Sequence, residues 1–362
     1  MSFAIMMLRS QLATNLPYPE SNFEGQTVIV TGGNRGLGLE AAKHMVRLGA
    51  IVILSVRNTD RGQAAAESIA QSTGRPRSRI SVWPLDLSSH KSVSAFAKKV
   101  NGLNRLDAVV QNAAMDDCSE FVTSDGSERH IATNVINPVL LGLLVLPKLR
   151  ESAVKYRTLG RLAFVGSALL QLSKFQERYT EGKLLEALND PEKTNMEDRY
   201  RVSRLLLLYA VRSMAAAMPV SKKSPVIINY VTPGLCNTNA VHKKGIKEKP
   251  ALLVRVLKTV VMAILARTPE QGSRTLVDAV KPDTSKEFHG AYLRDCSIFP
   301  TGELVDSLEG QALQRKFFIE LQNVLERIHP GSTIILSNLS IGYLGKTSLV
   351  PKTSTIIVAS RG

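Results

Sequence analysis

The sequence predicts a doubly wound α/β protein: a parallel sheet of about seven strands with helices on both faces. Three observations carry this. Short β-rich apolar runs alternate with helical patterns from residue 25 onward. The first run, Thr27-Val28-Ile29-Val30, breaks into Thr31-Gly32-Gly33-Asn34-Arg35-Gly36-Leu37-Gly38. The chain then reopens as an apolar-periodic segment through Leu39, Ala42, Met45, Val46 and Leu48. In such a fold a ligand belongs at the carboxyl ends of the strands.

Taken in order, residues 1–24 read as an irregular lead-in, and residues 25–330 as one domain. Strands are expected over 27–31, 50–56, 80–85, 106–111, 160–166, 225–231 and 290–294. Helices are expected to open near 36, 60, 89, 128, 196, 268 and 302. Two segments break the rhythm. Residues 168–199 are a charge-rich insertion carrying Lys174, Glu177, Arg178, Glu181, Lys183 and Glu186. Residues 235–267, after Pro233-Gly234, are first basic and then apolar. Long connections of this kind either cover a site or decorate the surface. From 331 to 362 the chain is rich in Ser and Thr and has no acidic residue. That tail reads as loose or disordered, with a terminal hairpin as the other reading.

Composition excludes several classes of function. The formal net charge of +15 is high, but aromatic content is 5% and no long Lys/Arg block is interleaved with aromatics, so nucleic acid is not an expected partner. Cys118, Cys236 and Cys296 are odd in number and far apart, which suits neither a disulfide framework nor a metal site and fits a reducing, cytoplasmic compartment. The six histidines show no ligand spacing, and no metal is expected. Met1 to Leu8 is apolar but lacks the basic start and cleavage site of a secretory signal. No run of about eighteen uncharged apolar residues offers a membrane span. Residues 251–266, interrupted by Arg255 and Lys258, read instead as an amphipathic helix suited to core packing or to peripheral contact with a membrane surface.

The chemistry begins at the glycines. A strand that breaks into glycines before a helix lets backbone N–H groups approach a pyrophosphate at the helix N-terminus. Further strand ends carry Gln111-Asn112-Ala113-Ala114, Gly166-Ser167 and Thr232-Pro233-Gly234, and a helix carries Tyr200-Arg201-Val202-Ser203-Arg204. Residues four apart share a helix face, so Tyr200 and Arg204 can point into one cleft. Hydride transfer to a carbonyl leaves an alkoxide that needs a proton, and a phenol beside a fixed cation is a suitable donor. Ser167, at a strand end, can hold the substrate oxygen. The second strand ends Leu54-Ser55-Val56-Arg57-Asn58 with no acid, while Arg57 and Arg35 are placed to meet a 2′-phosphate. That pattern favours NADP(H) over NAD(H).

In the same order, these motifs resemble those of the short-chain dehydrogenase/reductase family, in its subgroup with a TGxxxGxG loop. The resemblance covers about residues 25–330 and looks closest to the retinol-dehydrogenase-like members common in fungi. It implies a Rossmann fold, a monomer or homodimer, and an oxidoreductase interconverting a carbonyl and an alcohol. It also implies that Gly32, Asn34, Gly36, Leu37, Gly38, Asn112, Pro233, Gly234 and Thr238 contact the cofactor, and that Asp86 and Leu87 contact the adenine. Asn134 matches the helix asparagine that supports the proton relay. Residues 235–267 correspond to a substrate lid whose apolar members suit a lipophilic substrate, such as a terpenoid or polyketide intermediate. Two departures stand out. Arg204 occupies the position where the family usually has lysine, and guanidinium and ammonium are not interchangeable at a tight site. The spacing from Ser167 to Tyr200 is also longer than usual. Both feed the rival reading of a nucleotide-binding protein with little or no catalysis, serving as a sensor or partner.

Overall fold

The computed structural model describes residues 3–237 and 265–336. Helix α1 (Phe3–Ala13) precedes β1 (Thr27–Thr31), α2 (Gly36–Arg47), β2 (Ile51–Val56), α3 (Thr59–Thr73), β3 (Ile80–Pro84), α4 (His90–Asn101) and β4 (Ala108–Gln111). A small hairpin, β5 (Thr123–Ser124) and β6 (Ser127–Glu128), leads into the long helix α5 (Arg129–Tyr156). There follow β7 (Gly160–Val165), α6 (Leu184–Leu188), α7 (Arg199–Ala217), β8 (Val226–Thr232) and α8 (Pro269–Asp278). The described part ends with β9 (Tyr292–Arg294), β10 (Ser297–Ile298), α9 (Glu303–Asp306) and α10 (Leu308–Ile328).

The main sheet has eight strands in the order β10-β9-β8-β7-β4-β1-β2-β3. Seven run parallel, and only β10 is antiparallel, against β9. The seven parallel strands are the seven expected from sequence, within a residue or two at most ends. All five residues of β1, all six of β7 and all seven of β8 are buried, as strands covered by helices on both faces must be. One core face joins α4, α5, α7 and α10 to the sheet, and the other joins α2, α3 and α8. The strand order reverses between β1 and β4, so the loops after those two strands open a crevice at the carboxyl edge.

Helix α5 is, among the described residues, the one helix long and apolar enough to cross a membrane, but 83% of its most apolar window is buried inside the protein. It is the core helix of the sheet.

Three expectations need correction. The lead-in is not irregular throughout, because Phe3–Ala13 is helical. Its carbonyls are taken by two buried arginines: Arg294 Nη2 donates to Met6 O at 3.0 Å and Arg267 Nη2 to Ser10 O at 2.8 Å. Sequence offered no sign of this, since the arginines lie more than 250 residues away. The insertion 168–199, read as a charge-rich connection, also feeds the core, for Leu170, Phe175, Leu184, Leu185 and Leu188 join it. The tail is anchored at its start: Glu326 accepts the N–H groups of Gly331 and Thr333, both at 2.7 Å, and Leu336 is buried in the core. Thr238, residues 238–264 of the expected lid and residues 337–362 lie outside the described residues.

Candidate active site

The glycine-rich turn sits at the reversal point of the sheet. Gly32 (φ +66°) and Gly36 (φ +56°) take left-handed backbone that other residues rarely adopt. Gly38 is required for a different reason: a Cβ there would lie 2.6 Å from both Asn112 Nδ2 and Gly32 O. Asn112, leaving β4, crosses to β1 and donates from Nδ2 to Thr31 O at 3.0 Å. Ala113 N donates to Thr31 Oγ1 at 2.8 Å. The loops after β1 and β4 are thus stitched together, which holds α2 with its first turn facing the crevice. Arg35 caps that turn with no side-chain hydrogen bond, leaving the leading N–H groups of α2 free of a side-chain cap. Asn34 and Leu37 lie on the same turn, both partly exposed.

Arg35 and Arg57 are exposed, and among the described residues neither guanidinium has an ion-pair or hydrogen-bond partner. Asn58, next to Arg57, is occupied by the N-cap of α3, accepting Arg61 N at 2.8 Å. Asp86 accepts from Ser88 N at 2.9 Å and Ser88 Oγ at 2.7 Å, which fixes its carboxylate after β3. The Leu87 side chain is buried in the core, so that residue can meet a ligand only through its backbone.

The second half of the crevice is built around Tyr230 of β8, which sequence reading did not single out. Its buried hydroxyl accepts Ser167 N at 2.9 Å and lies 3.3 Å from Arg204 O, to which it can donate. Burial pushes its pKa well above the ordinary tyrosine value. The phenol therefore stays neutral and serves as a strut between the end of β7 and helix α7. Despite the long insertion, Ser167 and Arg204 meet at one oxygen. A Cβ at Gly166 would collide with that Tyr230 ring, which explains the glycine before Ser167.

Arg204 is 3% exposed and its Cζ lies over the Tyr200 ring, 4.8 Å from the ring centre. Its Nη1 donates weakly to Val165 O at 3.5 Å, and its Nε is buried without a partner. Ser167 Oγ accepts from Leu169 N at 3.2 Å and caps the short turn Ala168–Leu172. Its proton is left to donate elsewhere.

Asn134 lies in a π-helical turn, Ala132–Ile136, within α5. Single π turns inside α-helices are frequent at functional sites. Its amide is fully used: Oδ1 accepts Met115 N at 2.9 Å, and Nδ2 donates to Met115 O at 2.8 Å and Ser203 Oγ at 3.1 Å. Ser203 Oγ in turn donates to Tyr200 O at 2.7 Å. Asn134 therefore reaches the first turn of α7 through Ser203 and the Tyr200 carbonyl, not the Tyr200 hydroxyl.

The insertion is pinned next to Tyr200. Asp198 Oδ2 accepts Lys174 N at 2.7 Å and Phe175 N at 3.0 Å, and the fully buried Arg199 pairs with Glu128 at 3.5 Å and Glu177 at 3.4 Å. At the far side of the crevice, Gly234 (φ +80°) turns under Arg267, whose Nη1 donates to Pro233 O at 3.2 Å and pairs with Asp295 at 2.8 Å. Among the described residues no group of three or more His, Cys, Asp or Glu is placed to hold a metal ion.

Comparison with known proteins agrees with this architecture. Residues 26–179 match the model of the short chain dehydrogenase family. The chain is 42% identical over 285 residues to the short chain dehydrogenase atnD of Emericella nidulans, covering 78% of this chain and 88% of that one. It is 38% identical over 331 residues to the short chain dehydrogenase/reductase dmxR8 of a Cryptosporiopsis species, covering 90% and 98%. Among solved structures, L-sorbose reductase from Gluconobacter frateurii, complexed with NADPH and L-sorbose, shares the fold with a TM-score of 0.55 at 18% identity, over 76% of this chain and 96% of that one. RhlG of Pseudomonas aeruginosa, in an NADP complex, does so with a TM-score of 0.55 at 20% identity, over 76% and 97%. With this sheet, this glycine turn and relatives of that identity over most of their length, the chain belongs to the short-chain dehydrogenase/reductase family, oxidoreductases acting on CH–OH groups.

Proposed function

We propose that the protein interconverts a carbonyl and an alcohol on a lipophilic small molecule, using NADP(H). The observation that carries this is the placement of Arg204 against Tyr200, with a buried unpartnered Nε, on the helix that Tyr230 ties to Ser167. A buried guanidinium donor without a partner costs about 1–3 kcal/mol unless a ligand satisfies it. The ribose of a dinucleotide supplies suitable oxygens. Three further features fit the same group: the close-packed glycine turn at Gly38, the first turn of α2 without a side-chain cap, and the guanidiniums of Arg35 and Arg57, unpaired among the described residues. Those arginines, with no acid ending β2, favour a 2′-phosphate over a free ribose hydroxyl.

When bound, the nicotinamide supplies or receives the hydride. The protein's own part is positioning and proton transfer. In this reading the Ser167 hydroxyl donates to the substrate oxygen, and the Tyr200 hydroxyl gives up its proton to the alkoxide or takes it from the alcohol. Arg204 supplies positive field and holds the ribose. Asn134 is a positioning residue, acting through Ser203 on the first turn of α7. Asp86 and the backbone at Leu87 take the adenine, and Asn112, Pro233 and Gly234 line the nicotinamide end. Three unpaired thiols suit a reducing compartment such as the cytoplasm. A substrate of terpenoid or polyketide type is in keeping with relatives that are fungal short chain dehydrogenases.

The test is transfer of deuterium from labelled NADPH to a panel of lipophilic ketones, read by mass spectrometry. Transfer to any member supports the reading. Tight NADPH binding with no transfer across a broad panel would favour a nucleotide-binding protein without catalysis, the reading that Arg204 in the lysine position invites.

A further inference from the structure

A second constellation of reactive side chains joins the loop after β4 to the end of β6 and the start of α5, outside the roles assigned above. Cys118 Sγ sits 3.3 Å from His130 Nε2, and His130 Nδ1 sits 2.8 Å from Glu128 Oε1. His130 and Glu128 are fully buried, while Cys118 is partly exposed. The carboxylate can only accept, so Nδ1 carries a hydrogen and Nε2 is the nitrogen that faces the sulfur. Glu128 is itself held rigidly: Oε1 also accepts His130 N at 2.9 Å, Oε2 accepts Ile131 N at 3.1 Å, and Arg199 lies 3.5 Å away. A nucleophile, a base in reach of it, and a third group orienting the base is the arrangement that activates a cysteine.

The charged groups around the pair are Asp117, Glu128 and Arg129, close to it in sequence, and Arg199 of α7, which also faces Glu177 and Asp198. Burial alone would lower the His130 pKa, but its hydrogen bonds with Cys118 and Glu128 raise it to about 9, so the imidazole is able to hold the thiol's proton at neutral pH. Burial pushes the other two thiols, Cys236 and Cys296, up to about 12.

We propose that Cys118, His130 and Glu128 form a reactive-thiol site, a place for reversible modification by a low-molecular-weight disulfide of the glutathione type. The Cys118 sulfur, its proton taken by His130 Nε2, attacks one sulfur of the disulfide. A new S–S bond forms, the old one breaks, and the second glutathione leaves as thiolate to be protonated by the imidazolium. Cys118 is oxidised and the departing sulfur reduced, so electrons balance. The adduct would sit three residues from Met115, whose N–H and C=O both bond Asn134.

The probes are iodoacetamide and oxidised glutathione on the full-length protein at pH 7, with each cysteine followed by peptide mass spectrometry. A free cysteine is only a few per cent thiolate at that pH. With a base in reach of its sulfur, Cys118 is expected to be alkylated about tenfold faster than free cysteine. Cys236 and Cys296 should stay unmodified, and oxidised glutathione should add one mixed disulfide that dithiothreitol removes. His130→Gln should bring the Cys118 rate down to that of free cysteine, with the fold checked by circular dichroism. If that variant does not fold, the wild-type ranking of the three cysteines against free cysteine decides alone. A wild-type Cys118 no faster than free cysteine, or a rate unchanged in folded His130→Gln, would overturn the proposal.

Discussion

The guanidinium carbon of Arg204 lies over the Tyr200 ring, 4.8 Å from its centre, while its Nε has no partner among the described residues. A cation over the ring face leaves the phenol oxygen clear of it. In the proposed function that oxygen meets the substrate while the cation contributes field from the side of the ring. Between them the two residues offer a ligand one hydroxyl and one unpaired guanidinium donor.

Tyr200→Phe keeps the ring beneath Arg204 but removes the oxygen to which the proposed function assigns proton transfer. Turnover should fall by a factor of about a hundred to ten thousand, the usual loss of one general acid. NADPH affinity, read by fluorescence titration, should stay nearly unchanged. A variant that keeps most of its activity would move the proton transfer to another group.

Arg57→Asp tests cofactor choice. The wild-type guanidinium is exposed and unpaired, so nothing in the fold depends on it. The new carboxylate repels a 2′-phosphate and can accept from an unphosphorylated ribose. A charge-assisted contact contributes about 1.5–3 kcal/mol, so NADPH affinity should drop roughly tenfold to a hundredfold while NADH affinity rises. Arg35→Asp should act in the same direction but more weakly. Equal NADPH affinity in wild type and Arg57→Asp would remove Arg57 from the site.

The sheet was legible in the sequence because its strands are buried on both faces and so appear as continuous apolar runs punctuated by glycines. Tyr200 and Arg204 were legible as a pair because i, i+4 spacing places them on one face. What escaped was long-range. Tyr230 looks like one more apolar residue of a core strand, and only the fold brings its hydroxyl to Ser167 and Arg204, 63 and 26 residues away. Helix α1 escaped for the same reason, since the arginines that hold it are distant in sequence. The insertion looked like a polar loop because its charged residues outnumber Leu170, Phe175 and Leu188, the side chains that enter the core. Local pattern cannot rank those two groups.

Gly38→Ala probes the cradle. The added methyl would lie 2.6 Å from Asn112 Nδ2 and from the Gly32 carbonyl, one of them backbone, so the turn itself must shift. Overpacking of this kind costs about 1–3 kcal/mol. A lower melting temperature and weaker NADPH binding should appear together. Weakened binding with an unchanged melting temperature would mean that the turn adjusts freely and only the ligand feels the methyl.

The acid side of the stability profile should carry a histidine signature. His289 Nδ1 accepts Ile228 N at 3.2 Å, while Nε2 donates to Ala215 O at 2.9 Å, which fixes a neutral ring between β8 and α7. Burial lowers its pKa below the ordinary 6.5, and burial does the same to His44. The unfolded chain thus takes up protons near pH 6.5 that the folded state refuses. The stability these two rings contribute is full above that pH and is lost as pH falls from there towards the folded value, whereas His130, raised to about 9, contributes stability that is lost as pH rises towards that value. Thermal midpoints measured from pH 7.5 to 5.5 should therefore fall less, or rise more, towards acid in His289→Gln than in wild type. Identical slopes would remove His289 from the account.

Replacing Arg204 separates a working site from a vestigial one. If Arg204 holds the ribose as proposed, Arg204→Met removes both the positive field and that contact, so NADPH affinity and turnover should both fall, affinity by roughly tenfold or more for a lost charge-assisted contact. Arg204→Lys is less obvious. Lysine cannot stack a planar fork on Tyr200, but the fork is loosely held: one long bond to Val165 O at 3.5 Å and an orphaned Nε. A compact ammonium leaves no such orphan and can turn its three donors to the ribose. Arg204→Lys should therefore retain or improve turnover and raise the melting temperature. Loss of activity in the lysine variant would show that the pocket depends on the guanidinium plane. If wild type and both variants bind NADPH alike and none transfers deuterium, Arg204 marks a site that has lost its chemistry, and nucleotide binding without catalysis becomes the better description.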